Sequence, residues 1–60
     1  MNISFKKIIG KKTLLCDLVY QREKNNYLLS VIDEKTQEIE LTKVFNSILD
    51  AINWIEELEK

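Results

Sequence analysis

The stretch TKVFNSILDAINWIEELEK, residues 42–60, decides the fold of this chain. Its apolar residues recur at intervals of three and four, which is typical of an amphipathic helix: Val44, Phe45, Ile48, Leu49, Ala51, Ile52, Trp54, Ile55 and Leu58. Thr42 is a suitable N-cap, because its hydroxyl can accept a hydrogen bond from a backbone N–H in the first turn. We therefore predict one helix over about residues 43–58.

The apolar surface of this predicted helix is wider than one small sheet can cover. At about 100° per residue, Leu49 and Trp54 fall on opposite flanks of the central stripe and widen it to about 220°, whereas about 100° suffices to face one core. The central stripe supplies the predicted core residues: Val44, Phe45, Ile48, Ile52 and Ile55. The candidate partner or dimer interface comprises Leu49, Trp54, Ile55 and Leu58. Alternatively, Trp54 wraps around the edge of the sheet.

The chain before the helix has the alternation and turn residues of short strands, which we predict at about residues 2–9, 13–21, 27–32 and 37–41. Gly10, the single glycine, marks the first turn, and Asn25 and Asn26 tolerate the left-handed backbone of the second. Asp33 can accept hydrogen bonds from backbone N–H groups two or three residues further on. The predicted fold is α+β, a four-stranded antiparallel meander followed by one C-terminal helix, in a single domain over residues 1–60.

Both central strands carry apolar residues on both of their faces. One face of the predicted sheet would present Leu15, Val19, Leu28 and Ile32, and the other would present their neighbours in the sequence. The sequence leaves open which set meets the helix. In either case one apolar set stays uncovered on a single-layered sheet, and such patches commonly mark interaction sites.

The composition excludes most catalytic and metal chemistry. The 60 residues include no histidine, one cysteine and one glycine. An intrachain disulfide, a four-ligand zinc site, a nucleophile activated by histidine and a glycine-rich phosphate loop are therefore ruled out. We expect a protein that is not an enzyme, with no catalytic residue, no cofactor and no metal. A lone thiol, together with the lack of an apparent signal peptide or membrane span, predicts a cytoplasmic location.

The charge of the chain is unevenly distributed, although the net charge is only −1. Residues 1–24 contain six basic and two acidic residues, whereas residues 25–60 contain three basic and eight acidic residues. The basic half supplies candidate nucleic-acid contacts: Lys6, Lys7, Lys11, Lys12 and Arg22. Basic side chains on a sheet that also carries aromatic residues are typical of single-strand binders.

Two short stretches resemble known families in layout. The run IELT, residues 39–42, entering the predicted helix resembles the strand-to-helix junction of the positive-coactivator family of single-stranded-DNA-binding proteins, which are dimers of four strands and a helix. The stretches YLLSVID, residues 27–33, and AINWI, residues 51–55, are similar in layout to small HicB-type antitoxins. Each resemblance covers about a dozen residues of generic type, and neither assigns the chain to a family.

A domain of this size buries only about 60% of the surface of its unfolded chain and usually needs an additional source of stability. We therefore predict a non-enzymatic protein-interaction module, a homodimer that binds and modulates or inhibits another, unidentified protein. Small regulators encoded by phages and mobile elements provide the analogy. The alternative is a dimeric nucleic-acid-binding protein that uses the basic N-terminal hairpin.

Overall fold

The computed structural model describes residues 2–58, which form four strands and one helix. The strands are β1 (Asn2–Ile9), β2 (Lys12–Gln21), β3 (Asn26–Asp33) and β4 (Ile39–Phe45), and the helix is α1 (Ile48–Glu57). All neighbouring strands pair antiparallel, and their order in the sheet is the order in the sequence. The predicted α+β fold, a four-stranded antiparallel meander followed by a C-terminal helix, is confirmed.

The connections between the strands use the residues that the sequence indicated. Gly10 has a φ of 61° and Asn25 a φ of 53°, both in the left-handed region that turns of this kind require. In the turn between β3 and β4, Asp33 Oδ1 accepts hydrogen bonds from the backbone N–H groups of Lys35 at 2.9 Å and Thr36 at 3.3 Å. These local bonds set the spacing between consecutive strands and therefore help to fix their register.

The helix begins later than predicted, because β4 continues to Phe45. Val44 and Phe45 pair with Leu28 and Tyr27 of β3, so the segment predicted to form the first helical turn is a strand. The N-cap is Ser47 and not Thr42: the Ser47 hydroxyl accepts a hydrogen bond from the backbone N–H of Asp50 at 3.1 Å. Helix α1 is consequently ten residues long.

The core lies between α1 and one face of the sheet. Its buried members come from β2, β3, the end of β4 and the helix: Leu14, Cys16, Leu18, Leu29, Val31, Phe45, Ala51 and Ile55. The helix packs on β3 and β4. Phe45 and Ile55 are core residues as predicted, and Ile48 packs partly buried against them. Val44 and Ile52 are not core residues, since 52% and 41% of their surfaces remain exposed.

A candidate interaction surface on the uncovered sheet face

The face of the sheet opposite α1, here called the open face, carries two rows of apolar side chains. Because side chains alternate between the faces of a strand, the neighbours of the buried residues point to this side. Cross-strand pairing places Leu15, Ile32 and Ile39 side by side in one row, the Leu15 row. The same pairing places Val19, Leu28 and Val44 in a second row, the Val19 row. The alternative left open by the sequence is thereby settled.

These apolar rows are accessible within the single chain. Ile39, Val44 and Val19 are 66%, 52% and 36% exposed, and the other three members are half-buried. The rows span β2, β3 and β4, whereas β1 contributes polar side chains at the same levels. Two rows of three neighbouring apolar side chains on one face differ from the scattered apolar residues of an ordinary surface, and they make this face a candidate binding surface.

A polar row separates the two apolar rows. It consists of Ser4, Asp17, Ser30 and Thr42, which are cross-strand partners from β1 to β4. The Ser4 hydroxyl donates a hydrogen bond of 2.6 Å to Asp17 Oδ1, which orients the carboxylate. At the rim of the open face, Lys6 Nζ lies 2.9 Å from Glu34 Oε2, in an exposed ion pair. The face is therefore banded, with polar groups at its middle level and its rim.

The helix residues predicted to contact a partner lie in different environments. Ile55 is only 5% exposed and belongs to the core of its own chain, while Leu58 is half-buried. Trp54 is half-buried too, and its ring centroid lies 6.0 Å from that of Phe45 in edge strand β4. Leu49 is 64% exposed, on the outer surface of α1. Of these four side chains, Leu49 is the most available to another chain.

An ammonium group lies over the aromatic pair formed by Trp54 and Phe45. Lys43 Nζ is 5.9 Å from the Trp54 ring centroid and 5.8 Å from the Phe45 ring centroid. Contacts of a cation with aromatic ring faces at such distances are attractive. They attach the tryptophan to β4, in agreement with the interpretation that it wraps around the sheet edge.

The basic residues proposed as nucleic-acid contacts do not form one surface. Lys6 and Lys7 point to opposite faces of β1, as consecutive strand residues must. Lys12 Nζ bonds to Glu40 Oε1 at 2.9 Å, and this hydrogen bond raises the pKa of the lysine. Lys11 lies in the first turn, whereas Arg22 lies at the far end of β2. Ten strand residues at about 3.3 Å each separate the two ends by roughly 30 Å.

The described residues offer little other chemistry. Cys16 is fully buried, and burial raises the pKa of its thiol, so the group behaves as a small apolar core side chain. Among residues 2–58, no three histidine, cysteine or acidic side chains are grouped so that they could hold a metal ion. Within the same range, no helix has the length and apolar character needed to cross a membrane.

Comparison of the chain with protein-family models, curated proteins and solved structures finds no match. The layout likeness to a strand-to-helix junction at residues 39–42 does not hold in the structure, since these residues lie within or at the start of β4. The geometry of the open face is therefore the basis on which a function can be proposed.

Sequence reasoning missed two members of the apolar rows, Val44 and Ile39. The sequence pattern places Val44 in the core stripe of the helix, and it places Ile39 on the buried face of its strand. One local signal could have corrected the first assignment. The residues Ser47-Ile48-Leu49-Asp50 match the pattern of a serine cap followed by an acidic residue three positions later. A helix starting there leaves Val44 in the preceding strand.

Proposed function

We propose that this protein is a non-enzymatic interaction module that forms a homodimer through the open face and binds and modulates or inhibits another protein. The observation that carries the proposal is the pair of apolar rows left uncovered on a sheet only one layer thick. The analogy with small regulators of phages and mobile elements concerns size and charge.

The open face has the size of a small interface. Four strands of seven to ten residues, at about 3.3 Å per residue and about 4.8 Å between strands, give a sheet face of about 25 Å by 19 Å, roughly 500 Å². Specific protein–protein interfaces bury about 800 Å² per partner. Apolar surface removed from water contributes roughly 25 cal/mol per Å² before the costs of association are subtracted. Covering the open face would also add to the stability of a domain of this size.

The outer surface of α1 would stay accessible in such a dimer. It presents Leu49 and Ile52, with the acidic side chains of Asp50 and Glu56 close by in the helix and no basic residue in the last turn. Two exposed apolar side chains are too few for a stable dimer, but they suit a contact with a second protein that offers an apolar groove lined by lysine or arginine. The predicted role of Leu49 as a partner contact is assigned to this surface.

The homodimer is tested by light scattering coupled to size exclusion, with a matched pair of substitutions. Val44→Asp places a charge on the open face, and Leu49→Asp places the same charge at a comparably exposed position on the helix. We expect twice the chain mass for the wild type and for Leu49→Asp, and a shift toward the monomer for Val44→Asp. A folded wild type that stays monomeric at high concentration, or a dimer that Val44→Asp leaves intact, would contradict dimerisation through this face.

The partner-binding half of the proposal is tested with the same variants. Capture from cells with tagged wild-type protein should enrich one protein that the dimeric Leu49→Asp variant no longer retains. The nucleic-acid alternative makes a different prediction, namely retention of a single-stranded oligonucleotide at low salt that weakens steeply as salt is added. We expect no such retention, because the basic residues are dispersed and two of them, Lys6 and Lys12, already pair with carboxylates.

A further inference from the structure

We infer that the second copy packs open face to open face, around a twofold axis that runs parallel to the strands and passes over β3. This inference rests on the proposed homodimer and adds its geometry. Two sheets that pack in this way lie about 10 Å apart with their strand directions within about 30° of each other. A twofold axis makes the contact self-complementary, so each copy must present groups that suit their own counterparts.

The banding of the open face restricts the axis to two directions. An axis parallel to the strands keeps every row opposite the same row of the second copy. An axis across the strands, through the polar row, places the Leu15 row opposite the Val19 row. Both arrangements bring apolar side chains onto apolar side chains and polar onto polar. Other directions lay the polar row across the apolar rows and bury its hydroxyl and carboxylate groups without partners, which is costly.

The charge of Asp17 decides between these two directions. The axis across the strands would place Asp17 opposite Asp17 of the second copy, and two carboxylates brought together out of water repel each other. The axis parallel to the strands and over β3 exchanges β2 with β4, so Asp17 faces Thr42 of the second copy. Thr42 is exposed, and its hydroxyl can donate a hydrogen bond to the carboxylate oxygen that Ser4 does not occupy.

The position of the axis over β3 follows from the polarity of β1. The apolar rows occupy β2, β3 and β4, whereas β1 presents Asn2, Ser4 and Lys6 at the levels of these rows. Its apolar Ile8 is 69% exposed on the same face but lies beyond the rows, beside Thr13. With the axis over β3, β1 falls outside the overlap, and the ion pair of Lys6 with Glu34 stays at the edge of the contact, accessible to water. An axis between β2 and β3 would instead cover β1 and place Lys6 against Ile39 of the second copy.

The resulting contacts are specific, and their extent is that of a small interface. Val19 faces Val44 of the second copy and Leu15 faces Ile39, while the β3 residues Leu28 and Ile32 face their own counterparts. Overlap of three of the four strands covers about three quarters of the sheet face, roughly 400 Å² per copy. The total of about 800 Å² is below the standard size of a specific interface, so we expect a dimer that dissociates on dilution.

Single cysteines along the polar row test this arrangement. The three variants are Ser30→Cys on β3, Asp17→Cys on β2 and Thr42→Cys on β4, each treated with a bifunctional thiol reagent whose spacer is about 5 Å long. Facing thiols point toward each other across the sheet separation of about 10 Å and are within this reach, whereas thiols displaced sideways by two strands, about 9.6 Å, are not. Wild-type protein is the blank, because its only cysteine, Cys16, is fully buried. Covalent dimers are quantified on denaturing gels, and light scattering records whether each variant is still a dimer.

The geometry gives a distinct pattern of products. Ser30→Cys lies on the axis and should cross-link to itself. Asp17→Cys alone and Thr42→Cys alone should each give no more covalent dimer than the wild type. A mixture of the two that is allowed to exchange subunits should give covalent dimer. Cross-linking of Thr42→Cys, which retains Asp17, with itself would overturn the direction of the axis, and a dimeric Ser30→Cys that does not cross-link would overturn its position.

The homodimer and its proposed geometry can be refuted separately. If the cross-linking pattern differs but Val44→Asp still dissociates the dimer, the geometry is wrong and the proposed homodimer stands. If the wild type is a monomer, the geometry is overturned with the homodimer, and loss of the captured partner protein in Leu49→Asp remains the measure of the interaction function.

Discussion

Replacement of Leu29 by alanine removes the largest fully buried side chain of the core. Leu29 lies at the middle of central strand β3, is 0% exposed and pairs with Leu18 of β2. Leu→Ala substitutions at such positions lower the free energy of unfolding by about 2–5 kcal/mol, because apolar burial is lost and a cavity is left behind. At about 0.05–0.15 kcal/mol per residue, the free energy of unfolding of a 60-residue chain is only about 3–9 kcal/mol. We therefore expect Leu29→Ala to lose about half of the stability, or to be unfolded.

Urea unfolding followed by Trp54 fluorescence measures this loss, because Trp54 is half-buried against Phe45 in the folded chain. With an m-value near 1 kcal/mol/M, the midpoint should fall by about 2 M or more. Leu49→Ala, at an exposed helix position, is the control and should stay within about 0.5 kcal/mol of the wild type. All proteins are compared at one concentration, since association adds stability. A loss below about 1 kcal/mol for Leu29→Ala would refute the assignment of this face as the core.

Two further predictions concern the helix cap and the buried thiol. Ser47→Ala removes the acceptor for the backbone N–H of Asp50 and should lower the free energy of unfolding in urea by about 0.5–2 kcal/mol. Asn46→Ala, at the exposed neighbouring position, is the control and should lower it less. Equal effects of the two substitutions would argue against the cap. Burial raises the pKa of Cys16 above its ordinary value of 9.0, so the folded chain keeps a proton that the unfolded chain loses. Stability should therefore fall as the pH rises above about 9, and Cys16→Ala should lack this part of the decline. Urea midpoints of the wild type and of Cys16→Ala at pH 8 and pH 10 measure the effect: the midpoint of the wild type should fall more between the two pH values.

The parts of the fold that the sequence predicted depend on local chemistry. Gly10, Asn25 and Asp33 each mark a turn through a conformational or hydrogen-bonding property of one residue, and the structure shows each of them in that role. Apolar residues at both odd and even positions of β2 and β3 likewise predict that both faces of these strands are apolar. This pattern carries no information on which face the helix covers, since that depends on the direction in which the chain leaves β4.

The misplaced start of α1 has a physical reason in the residues Val44 and Phe45. Two adjacent apolar residues fit the wide stripe of a helix, and they equally fit a strand that places one side chain on each face. Pairing with Tyr27 and Leu28 of β3 selects the strand, and this contact lies too far away in the sequence for a local pattern to reveal. The same selection separates the two residues, with Phe45 in the core and Val44 on the open face.

The later helix start also relocates the apolar surface that remains for a partner. A helix over residues 43–58 would be about 24 Å long, whereas the ten residues of α1 span about 15 Å and pack on β3 and β4 of one face. The residues lost from the helix lengthen β4, and this extension adds Val44 to the Val19 row and Thr42 to the polar row. Without these two residues the apolar rows would be complete on only two strands, β2 and β3, and Asp17 would have no hydroxyl opposite it in the proposed twofold contact. The extension of β4 is therefore the feature on which the proposed sheet-to-sheet dimer depends.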